Sequence, residues 1–204
     1  ALSGHDVSPV VRIPHNDPAL IKQVLDLGAQ SLLCPMVNSA DEARAIVQAT
    51  RYPPNGIRGV GHMLGRASAF NGIPDYLGTA ENQICLIVQA ESTAAMDALE
   101  EICAVEGIDG VFIGPADLCA DMGLLPHITH PDVRAAVQDG LRRIRPTGNA
   151  AGIIDADPAL IQQDIDAGAN FVALGAVVLF LADAIRGLTR TWKARTPLHG
   201  LCLF

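Results

Sequence analysis

Aromatic residues make up only 4% of this 204-residue chain, although 50% of it is hydrophobic. Its core must therefore be aliphatic, which suits a parallel sheet covered on both faces. Lysine is almost missing: Lys22 and Lys193 are the only two, both on stretches that read as helix. Amine catalysis needs a lysine at a strand end, so that chemistry is disfavoured. Basic stripes are missing as well, and the net charge of −8 argues against a nucleic-acid partner. No apolar run reaches membrane-spanning length; the longest, Phe171 to Ala182, is interrupted by Gly175. Ala1 to Asp6 has neither the charged start nor the apolar core of a signal peptide. The five cysteines form no CxxC pair and read as free thiols in a reducing cytoplasm. No GxGxxG follows the first strand, which weakens a dinucleotide-binding reading.

What is present is one repeated pattern: a short apolar run, a turn, then an amphipathic stretch. Val10–Ile13 is a predicted strand, followed by a helix from Pro18 to Gly28 capped by Asn16 or Asp17. Ser31–Val37 is the next strand, and its helix runs from Ser39, with Glu42 completing a capping box, to about Thr50. A long connection, Tyr52 to Asn82, holds a short helix near residues 74–81. Ile84–Gln89 is a strand, then a single helix covers Thr93 to Val105. Gly110–Ile113 is a strand, then a loop runs through Asp117 to His130. A helix from Pro131 to Arg145, a strand Ala151–Ile154 and a helix Pro158–Ala167 follow. Phe171–Leu174 is the last strand, before an apolar helix from about Val178 to Lys193. Thr196–Phe204 loses the pattern and reads as an irregular tail, leaving residues 1–195 as the domain.

Roughly six β-then-α units with no antiparallel hairpin mean a parallel sheet with helices outside it. Both an open doubly wound sheet and a closed barrel have this pattern. A barrel needs eight units, so about two are expected to lie before Ala1.

Barrel active sites lie at the C-terminal ends of the strands. Arg12 ends the first strand, Gln89-Ala90-Glu91 the third, and Gly114-Pro115-Ala116-Asp117 the fourth. Arg12, Glu91 and Asp117 should thus converge at one mouth. Two carboxylates held together repel unless a cation sits between them. Oxygen ligands favour a hard divalent ion such as Mg²⁺ or Mn²⁺. Such a site leaves positions for the carboxylate and keto oxygens of a 2-oxo acid, whose enolate the ion and Arg12 would stabilise.

Other residues carry weaker signals. Asp155 closes a fifth strand and reads as the cap of the helix at Pro158. His62 follows Arg58-Gly-Val-Gly61 and is a candidate for the mouth. His127 and His130 read as solvated loop residues, Cys119 as a nucleophile without an ordered partner, and the methionines as core filler.

Several long motifs resemble the HpcH/HpaI aldolases, the class II, metal-dependent pyruvate aldolases. These are Ile21-Lys-Gln-Val-Leu-Asp26-Leu-Gly-Ala-Gln, Pro35-Met-Val, Arg51-Tyr-Pro-Pro-Asn-Gly-Ile-Arg58-Gly-Val-Gly61, Leu86-Ile-Val-Gln89-Ala-Glu91 and Val105 through Leu118. The likeness covers about residues 9 to 190. It implies a TIM barrel of the phosphoenolpyruvate/pyruvate type. It also implies cleavage of 4-hydroxy-2-oxo acids, or of a sugar acid such as 2-keto-3-deoxyglucarate, into pyruvate and an aldehyde through a metal-bound enolate.

By position, Glu91 and Asp117 match metal ligands for Mg²⁺, Mn²⁺ or Co²⁺, and Arg12 matches the transition-state stabiliser. Gln89, Gly114, Pro115, Ala116 and Asp117 match the substrate pocket. Asp26 matches an aspartate that tunes the catalytic histidine across a subunit contact, in a cytoplasmic trimer or hexamer. The sequence also departs from the family. The histidine base of the family's Asp-Gly-Glu-His stretch would lie before Ala1, and Gly175-Ala-Val-Val178 replaces Gly-Val-Asp-Thr. An incomplete copy that binds metal and 2-oxo acid without turnover is therefore an alternative, as is a purely structural subunit.

Overall fold

The computed structural model describes residues 4–195, so the expected tail from Thr196 lies outside the described residues. β1 (Val10–Arg12) leads to α1 (Pro18–Asp26), β2 (Ser31–Cys34) to α2 (Ala40–Thr50), and the long connection to a short α3 (Tyr76–Thr79). β3 (Cys85–Ala90) is followed by α4 (Thr93–Asp97) and α5 (Leu99–Cys103), and β4 (Gly110–Ile113) by α6 (Pro115–Asp121) and α7 (Pro131–Ile144). β5 (Ala150–Ile154), α8 (Pro158–Asp166), β6 (Phe171–Ala173) and α9 (Val177–Arg195) complete the order. The six strands form one sheet in the order β1-β2-β3-β4-β5-β6, and every pair is parallel.

Side chains alternate across a strand, so each strand divides its residues between two faces. On one face Leu32, Cys34, Leu86, Val88, Val111, Ile113, Ala151 and Ile153 are buried and join Ile21, Leu25, Ile46, Val137 and Leu141 from the helices. That is the core. On the other face Val10 and Arg12 of β1, Gln89 of β3, Phe112 of β4 and Phe171 and Ala173 of β6 line one hollow of about 410 Å³. Both outermost strands reach the same hollow, so the sheet curls around it. Gly152 permits the floor: a Cβ there would come within 2.5 Å of the Phe112 ring, which meets Phe171 edge-on at 5.8 Å.

Local signals explain most boundaries. Asp17, not Asn16, caps α1 by accepting from the Leu20 N–H at 2.9 Å. Asn16 instead donates to the Pro35 carbonyl at 2.6 Å. Ser39 caps α2, and Glu42 reaches back to the Asn38 N–H at 2.7 Å.

Three expectations change. The stretch read as loop after Ile113 begins with a helix, α6, because Pro115 sits at its first turn with Gly114 before it. The single helix over 93–105 is two, broken at Ala98 (φ −92°, ψ 13°). The helix near 74–81 shrinks to α3, continued by a 3₁₀ turn over Ala80–Gln83.

Candidate active site

The C-terminal ends of β1, β3 and β4 bring together a chain of polar groups. The Arg12 Nε donates to Gln89 Oε1 at 2.8 Å. The Gln89 Nε2 then donates to Glu91 Oε1 at 2.7 Å. This fixes the amide orientation, since the oxygen must face the Arg12 cation and the NH₂ the Glu91 carboxylate. The Met36 N–H after β2 donates to the other oxygen, Glu91 Oε2, at 3.0 Å. Met36 takes φ 52°, a backbone state that a side chain adopts only at a cost.

Gln89 and Glu91 are buried, at 5% and 3% exposure. Burial pushes the Glu91 carboxyl up, and the negative Asp117 adds to this, while the Met36 N–H, Arg12 and Gln89 oppose it. Asp117 lies in the first turn of α6, directly after Gly114-Pro115-Ala116. A Cβ at Gly114 would come within 2.3 Å of Glu91 Oε1, so any side chain there would push the Glu91 carboxylate from its place. Arg12, Gln89, Glu91, Gly114, Pro115, Ala116 and Asp117 therefore all line the hollow, as their strand-end positions predict.

A divalent cation fits this arrangement. Two carboxylates face the hollow, one of them buried against its own charge, and a cation relieves both burdens. The donors are oxygens, the preference of a hard ion. No cluster of three or more His, Cys, Asp or Glu side chains that could hold an ion exists among the described residues, so Glu91 and Asp117 are the two carboxylates that would hold one here.

Asp26 is elsewhere. It ends α1, which runs antiparallel to the strands, so it lies beyond their N-terminal ends. There it accepts from Arg58 at 2.7 Å and pairs with Lys22. Burial works to raise the Asp26 carboxyl, but the hydrogen bonds and charges of Arg58 and Lys22 together hold it below its ordinary value.

His62 does not reach the mouth. It belongs to the connection joining the C-terminus of α2 to the start of β3, and stacks on Tyr76 at 6.1 Å. Asp155 does not cap α8; Asp157 does, accepting from the Ala159 N–H at 2.8 Å. His130 caps α7 through Nδ1, which accepts from the Asp132 N–H at 3.2 Å, and His127 is exposed. Cys119 is wholly buried, which removes it as a nucleophile in this conformation. Sequence reasoning missed His15, which lines the cavity adjoining Arg12. Its signal was its place three residues beyond a strand-end arginine.

Comparisons place this geometry among known proteins. The family description "HpcH/HpaI aldolase/citrate lyase" matches residues 1–184. The hydroxypyruvate/pyruvate aldolase of Roseovarius nubinhibens is 55% identical over 192 residues, covering 94% of this chain and 75% of that protein. The 4-hydroxy-2-oxo-heptane-1,7-dioate aldolase of Salmonella dublin is 50% identical over 200 residues, covering 98% and 76%. The crystal structure of an HpcH/HpaI aldolase/citrate lyase family protein from Burkholderia cenocepacia superposes with a TM-score of 0.86 at 40% identity, covering 93% and 74%. A match over most of the chain, in sequence and in fold, shows that the chain belongs to the HpcH/HpaI aldolase/citrate lyase family.

Proposed function

We propose that this chain is a metal-dependent aldolase that makes and breaks the bond between C3 of pyruvate and an aldehyde carbon in 4-hydroxy-2-oxo acids. The observation that carries this reading is the Arg12–Gln89–Glu91 chain, with Asp117 beside it on the same hollow. Glu91 and Asp117 would hold Mg²⁺, Mn²⁺ or Co²⁺, which supplies Lewis acidity toward the 2-oxo group.

The chain's own groups do the rest. Arg12 presents a guanidinium to the oxygen that gains negative charge as pyruvate loses a C3 proton. Gln89 keeps Arg12 and Glu91 in register. The turn Gly114–Asp117 borders the substrate carboxylate, and Phe112 and Phe171 keep water from the floor. In cleavage, the C4 hydroxyl loses its proton, the C3–C4 bond breaks and its electron pair forms the pyruvate enolate. The aldehyde departs, and C3 takes up a proton.

One observation favours a second reading, binding without turnover: no imidazole lines this hollow among the described residues. Pyruvate and an aldehyde, incubated with Mn²⁺ and monitored for a 4-hydroxy-2-oxo acid, separate the two. Product that EDTA abolishes supports the aldolase; binding of Mn²⁺ and pyruvate without product supports the inert binder.

The proposal extends to the domain, the assembly and the setting. The curled six-stranded sheet is read as an incomplete barrel domain over residues 1–195, six units of an eight-unit type. The chain assembles with copies of itself, as a trimer or hexamer, through apolar surface on α9 and the 57–77 connection. Its free Cys34, Cys85, Cys103 and Cys119 suit the cytoplasm.

A further inference from the structure

A cavity of about 650 Å³ lies at the other end of the sheet from the hollow. It sits between Gln30 and Ile84, which precede β2 and β3, and the long connection. No aspartate or glutamate is among the residues that line it, although the whole chain carries a net charge of −8. Two arginines do line it, Arg58 and Arg66.

Arg58 is buried and gives one N–H to Asp26 at 2.7 Å. Its Nε is buried too, and has no hydrogen-bond partner among the described residues. A buried N–H without an acceptor is costly, and more so on a cation. Asp26 does not cancel the local charge, because it also pairs with Lys22, so two cations share one carboxylate. Arg66 has no acidic partner among the described residues and adds a second surplus charge. Leu25, Ile73 and the Tyr76 ring give the cavity an apolar wall.

Small-molecule sites are mostly apolar hollows of about 300–1,000 Å³ with a few convergent polar groups, and this cavity has that form. An oxyanion supplies the acceptor that Arg58 Nε lacks and offsets the surplus charge. A neutral ligand does not offset the charge. A bare anion leaves the apolar wall facing water.

We propose that this cavity binds a small organic carboxylate with an apolar body, at a site separate from the enolising one. Arg58 Nε donates to the carboxylate, Arg66 adds its charge at the rim, and the apolar wall takes the body. The N-terminal ends of barrel strands are not the catalytic end, so the ligand is held there and does not react.

The test is calorimetric titration of the whole chain with 2-naphthoate, with EDTA present. The controls are 2-naphthamide, which keeps the body without the charge, and acetate, which keeps the charge without the body. Naphthoate should bind at least about tenfold more tightly than either. Arg58→Lys keeps a cation for Asp26 but lacks the Nε–H; it should weaken binding at least about fivefold, with folding checked by its melting curve. Arg66→Ala, a change at an exposed position, should weaken it about threefold. Repeating the titration with Mn²⁺ and excess pyruvate should leave the affinity unchanged. Equal binding of naphthamide, an affinity that Arg66→Ala does not move, displacement by pyruvate, or no binding at all overturns the assignment. No aldol forms in this titration, so it stands or falls apart from the aldolase reading.

Discussion

Glu91 takes a hydrogen bond on each oxygen, from Gln89 on one and from the Met36 N–H on the other. A glutamine there has a single acceptor, so one donor would face an NH₂ group. Glu91→Gln should therefore abolish the rise in melting temperature that Mn²⁺ gives the wild-type chain, measured by scanning calorimetry with and without the ion. Gly114→Ala acts on the same carboxylate from the other side, since its Cβ would displace Oε1. That variant should fold, yet lose at least about tenfold in kcat/KM, because a small misplacement at a reacting centre is costly. Unchanged kinetics would show that Glu91 is not held where the account needs it.

The convergence of Arg12, Glu91 and Asp117 was legible in the sequence because Arg12 ends β1, Glu91 follows β3 and Asp117 lies in the first turn after β4, and the C-terminal ends of a parallel sheet converge. The roles of Met36 and Arg134 were not legible. Met36 acts through its backbone, which carries no residue signature. Arg134 acts through partners 21 and 30 positions away, at Asp155 and Asp164.

At the scale of elements, two ion pairs tie neighbours together. Arg134 of α7 and Asp164 of α8 form one, wholly inside the protein on the Asp164 side. Burial pushes the Asp164 carboxyl up, with Arg134 opposing it. Asp164→Ala leaves the buried guanidinium with Asp155 alone, 3.6 Å away, and should cost about 3 kcal/mol in urea unfolding. A loss below about 1 kcal/mol would mean that the pair is not needed to dock α8.

Asp26 of α1 holds the connection through Arg58, which is 2% exposed and lies over the Tyr52 ring at 4.5 Å. Its folded carboxyl is held below the ordinary value, so its stabilisation is complete above the unfolded pKa of about 4 and fades as pH falls. Asp26→Asn should thus lower the urea midpoint at neutral pH, and the gap from wild type should close below about pH 4. A gap that persists in acid would mean that the carboxylate's charge is not what matters.

Element order was read well from alternating apolar runs and caps. α6 was missed because seven residues beginning Pro-Ala-Asp look like a turn; the helical start at Pro115 is extended by the packing of Leu118 and Cys119 into the core.

The whole molecule leaves much apolar surface uncovered. Leu181, Ile185, Leu188 and Trp192 form a stripe at helical spacing along α9, each more than half exposed. Val60, Leu64 and Phe70 are exposed in the connection at the other end of the sheet. Among the described residues β1 and β6 are the edge strands of the sheet, with no strand on their outer sides. Surface of this kind favours assembly, so sedimentation velocity should show species larger than a monomer. A monodisperse monomer with a cooperative melt would contradict that.

The parallel order of the sheet was predictable from its β-then-α repeat. The repeat alone did not give its curl, because an open sheet and a barrel share that repeat; the motif resemblance implied a barrel, and the hollow shared by β1 and β6 shows the curl.

The central claim is that Arg12, Glu91 and Asp117 form a metal-dependent enolising site. Deuterium uptake at the pyruvate methyl group, followed by proton NMR with Mg²⁺ or Mn²⁺ and with EDTA, tests it most directly. The account predicts uptake that requires the metal and is lost in Glu91→Gln. Uptake that is absent with metal present, or that is unaffected by EDTA, would contradict it.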